Sequence, residues 1–205
     1  MTGIGFSVFE TAIGWAAIGW SDAGVVRVRL PDADASRARA AVRRWLPGAA
    51  EARPEASVAA AVERIVALLA GERIALTTVA LDMTGVQPFD RRVYGGARAV
   101  PAGETTTYGA LAERIGAPAE ARAVGVALAR NPFPIVVPCH RVVAADGRLG
   151  GFSAPGGVET KRRMLAIEGA GVAAQPTLFD PPRPPRRLIP MRACAGIRNH
   201  SPSSA

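Results

Sequence analysis

Alternating apolar and polar positions characterise the first 80 or so residues of the chain. Stretches in which apolar residues alternate or run together predict three short strands, at residues 6–11, 15–20 and 25–30. Glycines separate these stretches, which favours tight turns and an antiparallel β-meander. Apolar residues then recur at helical spacing over residues 36–46 and 58–69, and an apolar run at residues 75–81 predicts a further strand.

Helical spacing predominates after a polar linker at residues 82–85. Helices are predicted at residues 88–99, 108–115 and 119–129, the first of which opens on a proline, a residue favoured in the first helical turn. A short turn containing Gly116 joins the second and third of these helices, so the pair is a helix-turn-helix candidate. A plain helical hairpin has the same pattern and stays an alternative.

Length and composition are sufficient for a real hydrophobic core. The chain has 205 residues, of which 49% are hydrophobic. We expect an α/β fold with an N-terminal α/β domain over residues 1–81 and a mostly helical domain over residues 82–171. Residues 172–205 are rich in proline, arginine and serine, and we expect a disordered basic tail there. The apolar runs are too short for a membrane span and no basic leader is present, so neither membrane insertion nor secretion is expected.

The net charge of +8 suggests a polyanionic partner such as a nucleic acid. Five arginines against one aspartate place about half of this excess in residues 172–205, and the remaining charge is also compatible with ordinary solubility. The two cysteines are too few for a disulfide framework or a four-ligand zinc site. A reducing compartment, the cytoplasm, is therefore expected.

One point in the chain combines a cysteine with a histidine. Cys139 follows three apolar β-branched residues, 135–137, which predict a short buried strand. A free thiol has a pKa of about 8.5, so a nucleophilic cysteine needs a base nearby, and the adjacent His140 is the candidate. Successive residues of a strand point to opposite sides, so contact between the two requires a local turn or a bridging water. An inert buried cysteine is the alternative, but the other cysteine and the other histidine both lie in the expected tail.

The predicted helix at residues 119–129 has a surface suited to close approach rather than to sequence readout. It contains no Asn, Gln, Ser or Lys that could read base edges in the major groove. Its side chains are mostly small, and Arg122 is its one long cation. This combination favours shallow, sequence-insensitive minor-groove binding that deforms the duplex. An enzyme that acts on a base needs such a deformation, because the reacting atom is reached only after the nucleotide rotates out of the stack.

Several stretches together resemble the O6-alkylguanine-DNA alkyltransferase family. The matching segments are residues 107–112, 121–125 and 131–143, and the likeness continues through residues 150–153 and 161 to residues 168–169. The Pro-Cys-His-Arg-Val motif that surrounds Cys139, inside its Asn-Pro frame, is highly specific. The resemblance implies a small ribonuclease H-like sheet-and-helix domain followed by an active domain with a helix-turn-helix.

The resemblance implies direct-reversal DNA repair by a protein that acts once. Cys139 is the expected alkyl acceptor, and the thioether that forms is too stable to hydrolyse. His140 is expected to draw the thiol proton through a water molecule, while Glu168 orients the imidazole and stabilises its charged form. Tyr108 is expected to donate a hydrogen bond to guanine N3, so that the base leaves neutral. Neither a metal nor an organic cofactor is implied.

The resemblance also assigns residues to the DNA and to the flipped base. Arg122 is expected to fill the gap left by the extruded nucleotide, and Asn131 to tie the helix-turn-helix to the active-site strand. Close approach to the DNA is expected at three small residues, Ala121, Ala123 and Gly125. The expected guanine pocket includes Pro134, Val142 and Ser153.

The expected partner is double-stranded DNA that contains O6-alkylguanine, bound by a monomer. The pocket loop at residues 152–157 is longer than in many family members, and because loop length shapes the pocket, the substrate range stays open. O6-Methylguanine is the expected substrate, and O4-methylthymine and bulkier alkyl groups are alternatives. In the tail, residues 175–179, from Gln175 to Phe179, resemble short peptides that dock on bacterial sliding clamps. A chance match is the alternative to a clamp contact.

Two other functions fit parts of the same pattern. A non-catalytic lesion-binding protein shares the fold, but the binders of this family replace the reactive cysteine, which this chain retains as Cys139. A cysteine hydrolase fits the neighbouring Cys139 and His140, but no loop suited to an oxyanion hole is evident in the sequence.

Overall fold

The three predicted N-terminal strands form one sheet with a short fourth strand at its edge. The structure is a computed structural model that describes residues 3–154 and 156–171, all within one compact unit. The strands are β1 (Gly5–Thr11), β2 (Gly14–Ser21), β3 (Gly24–Asp32) and β4 (Ala50–Glu51). Their order is β3-β2-β1-β4, with the first three antiparallel and β4 parallel to β1. The predicted meander is confirmed.

Glycine is required where β1 turns into β2. Gly14 has φ +127°, and a Cβ atom there would lie 2.4 Å from the backbone oxygen of Asp32. The Thr11 hydroxyl donates to the Gly14 carbonyl over 2.7 Å and closes the turn. This turn sets the register between β1 and β2, in which Thr11 faces Gly14.

Two helices, both predicted, pack their apolar sides into the N-terminal half. They are α1 (Ala35–Trp45) and α2 (Ala56–Leu69). Asp34 caps α1, because its carboxylate accepts a 2.8 Å hydrogen bond from the Arg37 amide. Val42 of α1 is buried in a cluster with Phe6 of β1, whereas Ile65 of α2 belongs to the main core.

Residues 75–81 are not a strand, so this prediction is wrong. Leu81 alone forms a bridge, to Val25 at the start of β3. A side chain supplies hydrogen bonds to several backbone carbonyls of this segment. The guanidinium of Arg98 donates over 2.7 to 2.8 Å to the carbonyls of Leu76, Thr77 and Val79. An apolar run of this length is equally compatible with a buried segment that never joins a sheet.

The second half of the described chain is mostly helical, as predicted. Its helices are α3 (Pro88–Arg98), α4 (Tyr108–Arg114), α5 (Ala121–Ala129) and α6 (Gly157–Ile167). Two short strands, β5 (Thr106–Thr107) and β6 (Val142–Val143), pair in parallel without any signal in the apolar pattern. Because β5 leads directly into α4 and β6 follows Cys139, this pairing brings the start of α4 near the cysteine. Within residues 3–154 and 156–171, no helix is long and apolar enough to cross a membrane.

One hydrophobic core runs through both predicted domains. It extends from Ile18 of β2 to Met164 of α6. Tyr94 of α3 is fully buried and packs edge-on against Phe133, with ring centroids 6.2 Å apart. Its hydroxyl donates to the Ala127 carbonyl of α5 over 3.1 Å. The domain boundary expected after residue 81 therefore lies in a continuous core, and it stays a prediction.

Candidate active site

The segment that carries Cys139 is a turn rather than the end of a strand. Residues 135–137 are buried but form only an isolated bridge between Pro134 and Val137, so the predicted strand is wrong. Ile135 has φ +76°, a conformation that costs about 1–3 kcal/mol and is concentrated at functional sites. The backbone then forms one 3₁₀ turn, Cys139–Arg141. This turn removes the alternation that would send its first two side chains to opposite sides of a strand.

Asn131 holds this turn against the end of α5. Its Nδ2 donates to the Val137 carbonyl over 3.0 Å, and its Oδ1 accepts from the Phe133 amide over 2.9 Å. Burial raises the pKa of the Cys139 thiol, and a hydrogen bond from the Asn131 side chain opposes this rise only in part. The resting cysteine is therefore a neutral thiol.

Next to Cys139, a buried histidine, glutamate and arginine form a closed network. His140 is fully buried, and its Nε2 lies 2.9 Å from Oε1 of Glu168. Arg141 donates to the same carboxylate twice, from Nε to Oε2 over 2.9 Å and from Nη2 to Oε1 over 2.8 Å. Its Nη1 donates to the Val100 carbonyl over 2.6 Å. Elsewhere in the described ranges, as here, no group of three or more His, Cys, Asp or Glu side chains is arranged to hold a metal ion.

The carboxylate fixes which nitrogen of His140 carries the proton. Burial raises the pKa of Glu168, but hydrogen bonds from His140 and Arg141 outweigh burial and bring that pKa to about 2. An ionised carboxylate only accepts, so Nε2 of His140 is protonated and Nδ1 is the basic nitrogen. Burial lowers the pKa of His140, and Arg141 already neutralises the carboxylate, so the imidazole is neutral. Its Nδ1 is buried without a hydrogen-bond partner among the described residues.

A second buried cation, Lys161, braces the loop that follows β6. Its Nζ donates to the carbonyls of Val142 and Leu149 over 2.6 and 2.5 Å. Burial lowers the pKa of Lys161 to about 8, although the nearby Cys139 acts to raise it. The ammonium also lies 5.9 Å from the centroid of the Phe152 ring. These contacts join both ends of the loop to one side chain.

Cys139 lines a cavity of about 450 Å³, a volume within the range of small-molecule pockets. The lining includes six residues predicted from the sequence: Tyr108, Gly125, Asn131, Pro134, Cys139 and Ser153. His140 and Glu168 are buried and do not belong to the lining, and neither does Val142, whose carbonyl is bonded to Lys161. Part of the lining comes from β3 and the end of α1, which the sequence pattern does not connect with the site.

Tyr108 lines the cavity from the start of α4. The preceding Thr107 caps this helix, since its hydroxyl accepts from the Ala110 amide over 3.1 Å. Burial raises the pKa of Tyr108, so its hydroxyl keeps its proton at neutral pH and can donate a hydrogen bond. Gly150 has φ +69°, and a Cβ atom there would lie 3.3 Å from the Tyr108 hydroxyl. A glycine thus lets the loop after β6 approach the tyrosine closely.

The outer face of α5 carries the residues predicted to meet DNA. Arg122 is exposed, and Val126, one turn later on the same face, is 53% exposed. The small residues Ala121, Ala123 and Gly125 are partly exposed. This surface therefore combines one long cation and one apolar side chain with positions where a backbone can come close to a partner.

Three contributors to this region have no role in the sequence-based predictions: Arg141, Lys161 and Val126. An arginine or lysine among apolar residues is rarely buried unless it is paired, so the setting of Arg141 between His140 and a valine pair is a usable signal. For Val126, the four-residue separation from Arg122 already predicts a shared helical face. The carbonyl partners of Lys161 depend on loop geometry and have no sequence signal.

In a comparison with known protein families, one family matches the second half of the described chain. Residues 88–170 match the family described as "6-O-methylguanine DNA methyltransferase, DNA binding domain". This range begins at α3, ends just after α6, and includes the Cys139 turn and the whole His140–Glu168–Arg141 network. The cavity wall formed by β3 and α1 lies outside it.

Two relatives and one solved structure extend the likeness. A methylated-DNA–protein-cysteine methyltransferase of Mycolicibacterium paratuberculosis is 48% identical over 122 residues, which are 60% of this chain and 72% of that protein. A DNA base-flipping protein of Thermus thermophilus is 45% identical over 132 residues, 63% of this chain and 87% of that protein. The crystal structure of Mycobacterium tuberculosis OGT in complex with DNA has a TM-score of 0.61 and 32% identity, over 80% of this chain and 92% of that chain.

Proposed function

The chain belongs to the family of methylated-DNA–protein-cysteine methyltransferases, and from this premise we propose that it is a single-turnover DNA repair enzyme. It removes the alkyl group from O6-alkylguanine in duplex DNA by transferring the group irreversibly to its own Cys139. One observation carries the proposal: a buried thiol lines the cavity, and the adjacent His140 presents a buried basic nitrogen with no partner among the described residues.

The transfer starts from a neutral thiol and a neutral imidazole. The Cys139 proton passes through a water molecule to Nδ1 of His140, and the sulfur bonds to the alkyl carbon as the bond from that carbon to O6 breaks. Glu168 stabilises the imidazolium, because its carboxylate accepts from Nε2 over 2.9 Å. The electron pair of the broken bond moves into the guanine ring, and Tyr108 supplies the proton at N3 that makes the base neutral. Solvent then returns the proton from His140 to Tyr108, so the net change is a thioether in place of a thiol.

DNA is bound by α4 and α5, acting as a helix-turn-helix whose second helix enters the minor groove. The small residues of α5 allow close approach: Ala121, Ala123 and Gly125. Arg122 fills the gap left by the flipped nucleotide, and the exposed Val126 adds an apolar contact one turn away. Asn131 transmits the position of α5 to the Cys139 turn through its bond to Val137.

The flipped guanine occupies the cavity against Pro134 and Ser153, both of which line it. Val142 supports this pocket from the side of Lys161, to which its carbonyl is bonded, rather than by lining it. O6-Methylguanine is the substrate that we assign. The chain acts as a monomer in the cytoplasm and needs no cofactor, because the nucleophile, the base and the orienting carboxylate all belong to its own residues.

For the N-terminal part, residues 1–81, we assign a ribonuclease H-like arrangement. The strand order β3-β2-β1-β4, with an antiparallel meander and a parallel edge strand, supports this assignment. The active domain then comprises residues 82–171, and residues 172–205 form a basic tail. Limited proteolysis followed by mass spectrometry tests the division, with cleavage after residue 171 expected before any cleavage near residue 82.

Intact-mass spectrometry tests the function directly. After incubation with duplex DNA that contains one O6-methylguanine, the protein should gain one methyl group, mapped to Cys139 and limited to one per molecule. Cys139→Ala should gain none while still binding the duplex. An unmodified base-flipping protein, the activity suggested by the name of the Thermus relative, would bind the lesion tightly with no change in mass. A cysteine hydrolase would instead turn over an ester or amide repeatedly, and either result would contradict the proposal.

A contact with a bacterial sliding clamp is proposed for residues 175–179, from Gln175 to Phe179, which lie outside the described residues. The support is the sequence pattern of glutamine followed by a Leu-Phe pair at Leu178 and Phe179. Pull-down with purified clamp should recover the native chain but not a variant with alanine at both Leu178 and Phe179. Equal recovery of the two proteins would end this proposal.

A further inference from the structure

The cavity has a cationic wall that the transfer step does not use. This surface, here called the Arg27–Trp45 wall, consists of Arg27, Arg29 and Trp45. The two arginines are two residues apart on β3 and so share a face of the sheet, and Trp45 ends α1. Their guanidinium carbons lie 4.6 and 5.1 Å from the centre of the Trp45 ring. One aromatic ring therefore holds two cations at the lining of the cavity.

The Arg27–Trp45 wall is fixed to the active-site half of the molecule. The amide of Val28, which lies between the two arginines, donates to the Pro132 carbonyl over 2.9 Å. The residue before Pro132 is Asn131, which bonds to Val137 and so holds the Cys139 turn. A short chain of hydrogen bonds thus connects β3 with the nucleophile, and one ligand in the cavity can contact both.

The wall carries one uncompensated positive charge. Arg29 pairs with Asp32, but its buried Nε has no hydrogen-bond partner within residues 3–154 and 156–171. Over the same ranges Arg27 has no carboxylate partner, and burial lowers its pKa. The neighbouring Arg130 is neutralised instead, because Asp90 accepts from it twice over 2.6 and 2.7 Å. The remaining N–H donors and the single net charge suit a singly charged anion.

We propose that the Arg27–Trp45 wall binds a phosphodiester of the damaged strand beside the nucleotide that enters the cavity. The inference rests on the proposed function, because a nucleotide drawn into the cavity brings its singly charged phosphodiesters with it. Arginine presents a planar set of donors that matches phosphate oxygens, and Trp45 orients both guanidinium groups. The N-terminal sheet thereby takes part in DNA binding, in addition to the groove contact made by α5.

Binding measured against salt tests this contact, with Cys139→Ala as the background so that the lesion persists. With an O6-methylguanine duplex, Arg27→Gln should weaken binding at least about tenfold and reduce the slope of log K against log salt by about one. Arg27→Lys keeps the charge and should keep the slope. Arg43→Gln is the matched control, since Arg43 is an exposed arginine of α1 that does not line the cavity. It should change neither quantity.

A duplex with one neutral methylphosphonate, placed in turn on the 5′ and the 3′ side of the lesion, identifies the bound group. If the wall binds that phosphodiester, Arg27→Gln has no further effect on one of the two substituted duplexes, so the two losses do not add. Full additivity on both duplexes, or an unchanged salt slope, would overturn the proposal.

The free base O6-methylguanine, which has no phosphate, separates this inference from the proposed function. With Cys139 present, Arg27→Gln should accept the methyl group from the free base as fast as the native chain does. A slower reaction would mean that the wall contacts the base or its alkyl group and would also overturn the proposal. Failure of the proposed function appears differently, as a native chain that gains no methyl group from either substrate.

Discussion

Replacing Glu168 with glutamine removes a charge while leaving an oxygen that can accept from His140. In the native chain the Glu168 oxygen lies 2.9 Å from Nε2 of His140. With charge centres about 4 Å apart and an effective dielectric constant of about 20, the imidazolium and the carboxylate attract each other by about 4 kcal/mol. Loss of that attraction in the transition state slows transfer roughly a thousandfold. The unpaired Arg141 would repel the imidazolium as well, so we expect at least this loss.

The same substitution leaves a buried cation without a counter-ion. The Arg141 and Glu168 side chains are 8% and 3% exposed, and removing one partner of such a buried pair costs about 3–5 kcal/mol of stability. The pKa of Glu168 falls from 4.5 to about 2 in the folded state. A lowered carboxyl pKa stabilises the fold above pH 4.5, and this contribution disappears as the pH falls toward 2. Glu168→Gln should lack that part of the acid dependence.

Single-turnover kinetics, with protein in excess over an O6-methylguanine duplex, and urea unfolding measure the two effects separately. The double variant Glu168→Gln/Arg141→Gln removes both charges, so it should recover part of the lost stability but still transfer slowly. Glu159→Gln is the control, because that carboxylate is 72% exposed and pairs with Arg162 on the surface of α6. Transfer by Glu168→Gln at the native rate would refute the role of the carboxylate in stabilising the imidazolium.

Three further predictions address the thiol, the turn and the helix. Between the lowered pKa of His140 and slightly alkaline pH, the transfer rate should stay nearly constant, because proton transfer starts from the neutral Cys139 thiol. A tenfold rise in rate for each pH unit would instead indicate that the reaction starts from a thiolate formed beforehand. Asn131→Ala removes two hydrogen bonds and should lower the free energy of unfolding by about 1–3 kcal/mol, measured in urea. Arg122→Ala should slow transfer from duplex DNA but not from the free base O6-methylguanine, since only the duplex requires base extrusion. If the variant and the native chain react with duplex DNA at equal rates, Arg122 has no role in flipping.

The spacing of apolar residues within each segment predicts most of the strands and helices, but it does not predict the pairing of the shortest strands. The three long strands and the helices α1 to α5 follow from spacing that each segment contains within itself. The parallel pair of β5 with β6 joins Thr106 to Val142, and neither short segment has a pattern of its own. The apolar run at residues 75–81 fails for a related reason, because Arg98, far along the chain, supplies the partners that a neighbouring strand would have provided.

The candidate site shows the same difference between features contained in one segment and contacts between distant segments. Cys139 and His140 are adjacent and scarce, so their chemistry is visible in the sequence, and the family resemblance adds Glu168 and Tyr108. The contact of Arg141 with a carboxylate 27 residues away depends on where α6 ends. The position of the Arg27–Trp45 wall beside the cavity depends on a hydrogen bond from β3 to Pro132, and no local sequence pattern predicts such a contact.

In the proposed mechanism, Arg141 also determines when the Cys139 thiol becomes reactive. An unpaired Glu168 beside His140 would favour an imidazolium, and an imidazolium next to Cys139 would favour a permanent thiolate. Because Arg141 neutralises the carboxylate with two hydrogen bonds, burial dominates and keeps both the thiol and the imidazole uncharged. A chain that can react only once benefits from this arrangement, since a neutral buried thiol is a poor target for oxidants and for other electrophiles. In the proposed mechanism the nucleophile then forms only in the presence of an alkyl carbon to attack, as the proton moves to Nδ1 of His140 while Glu168 holds Nε2.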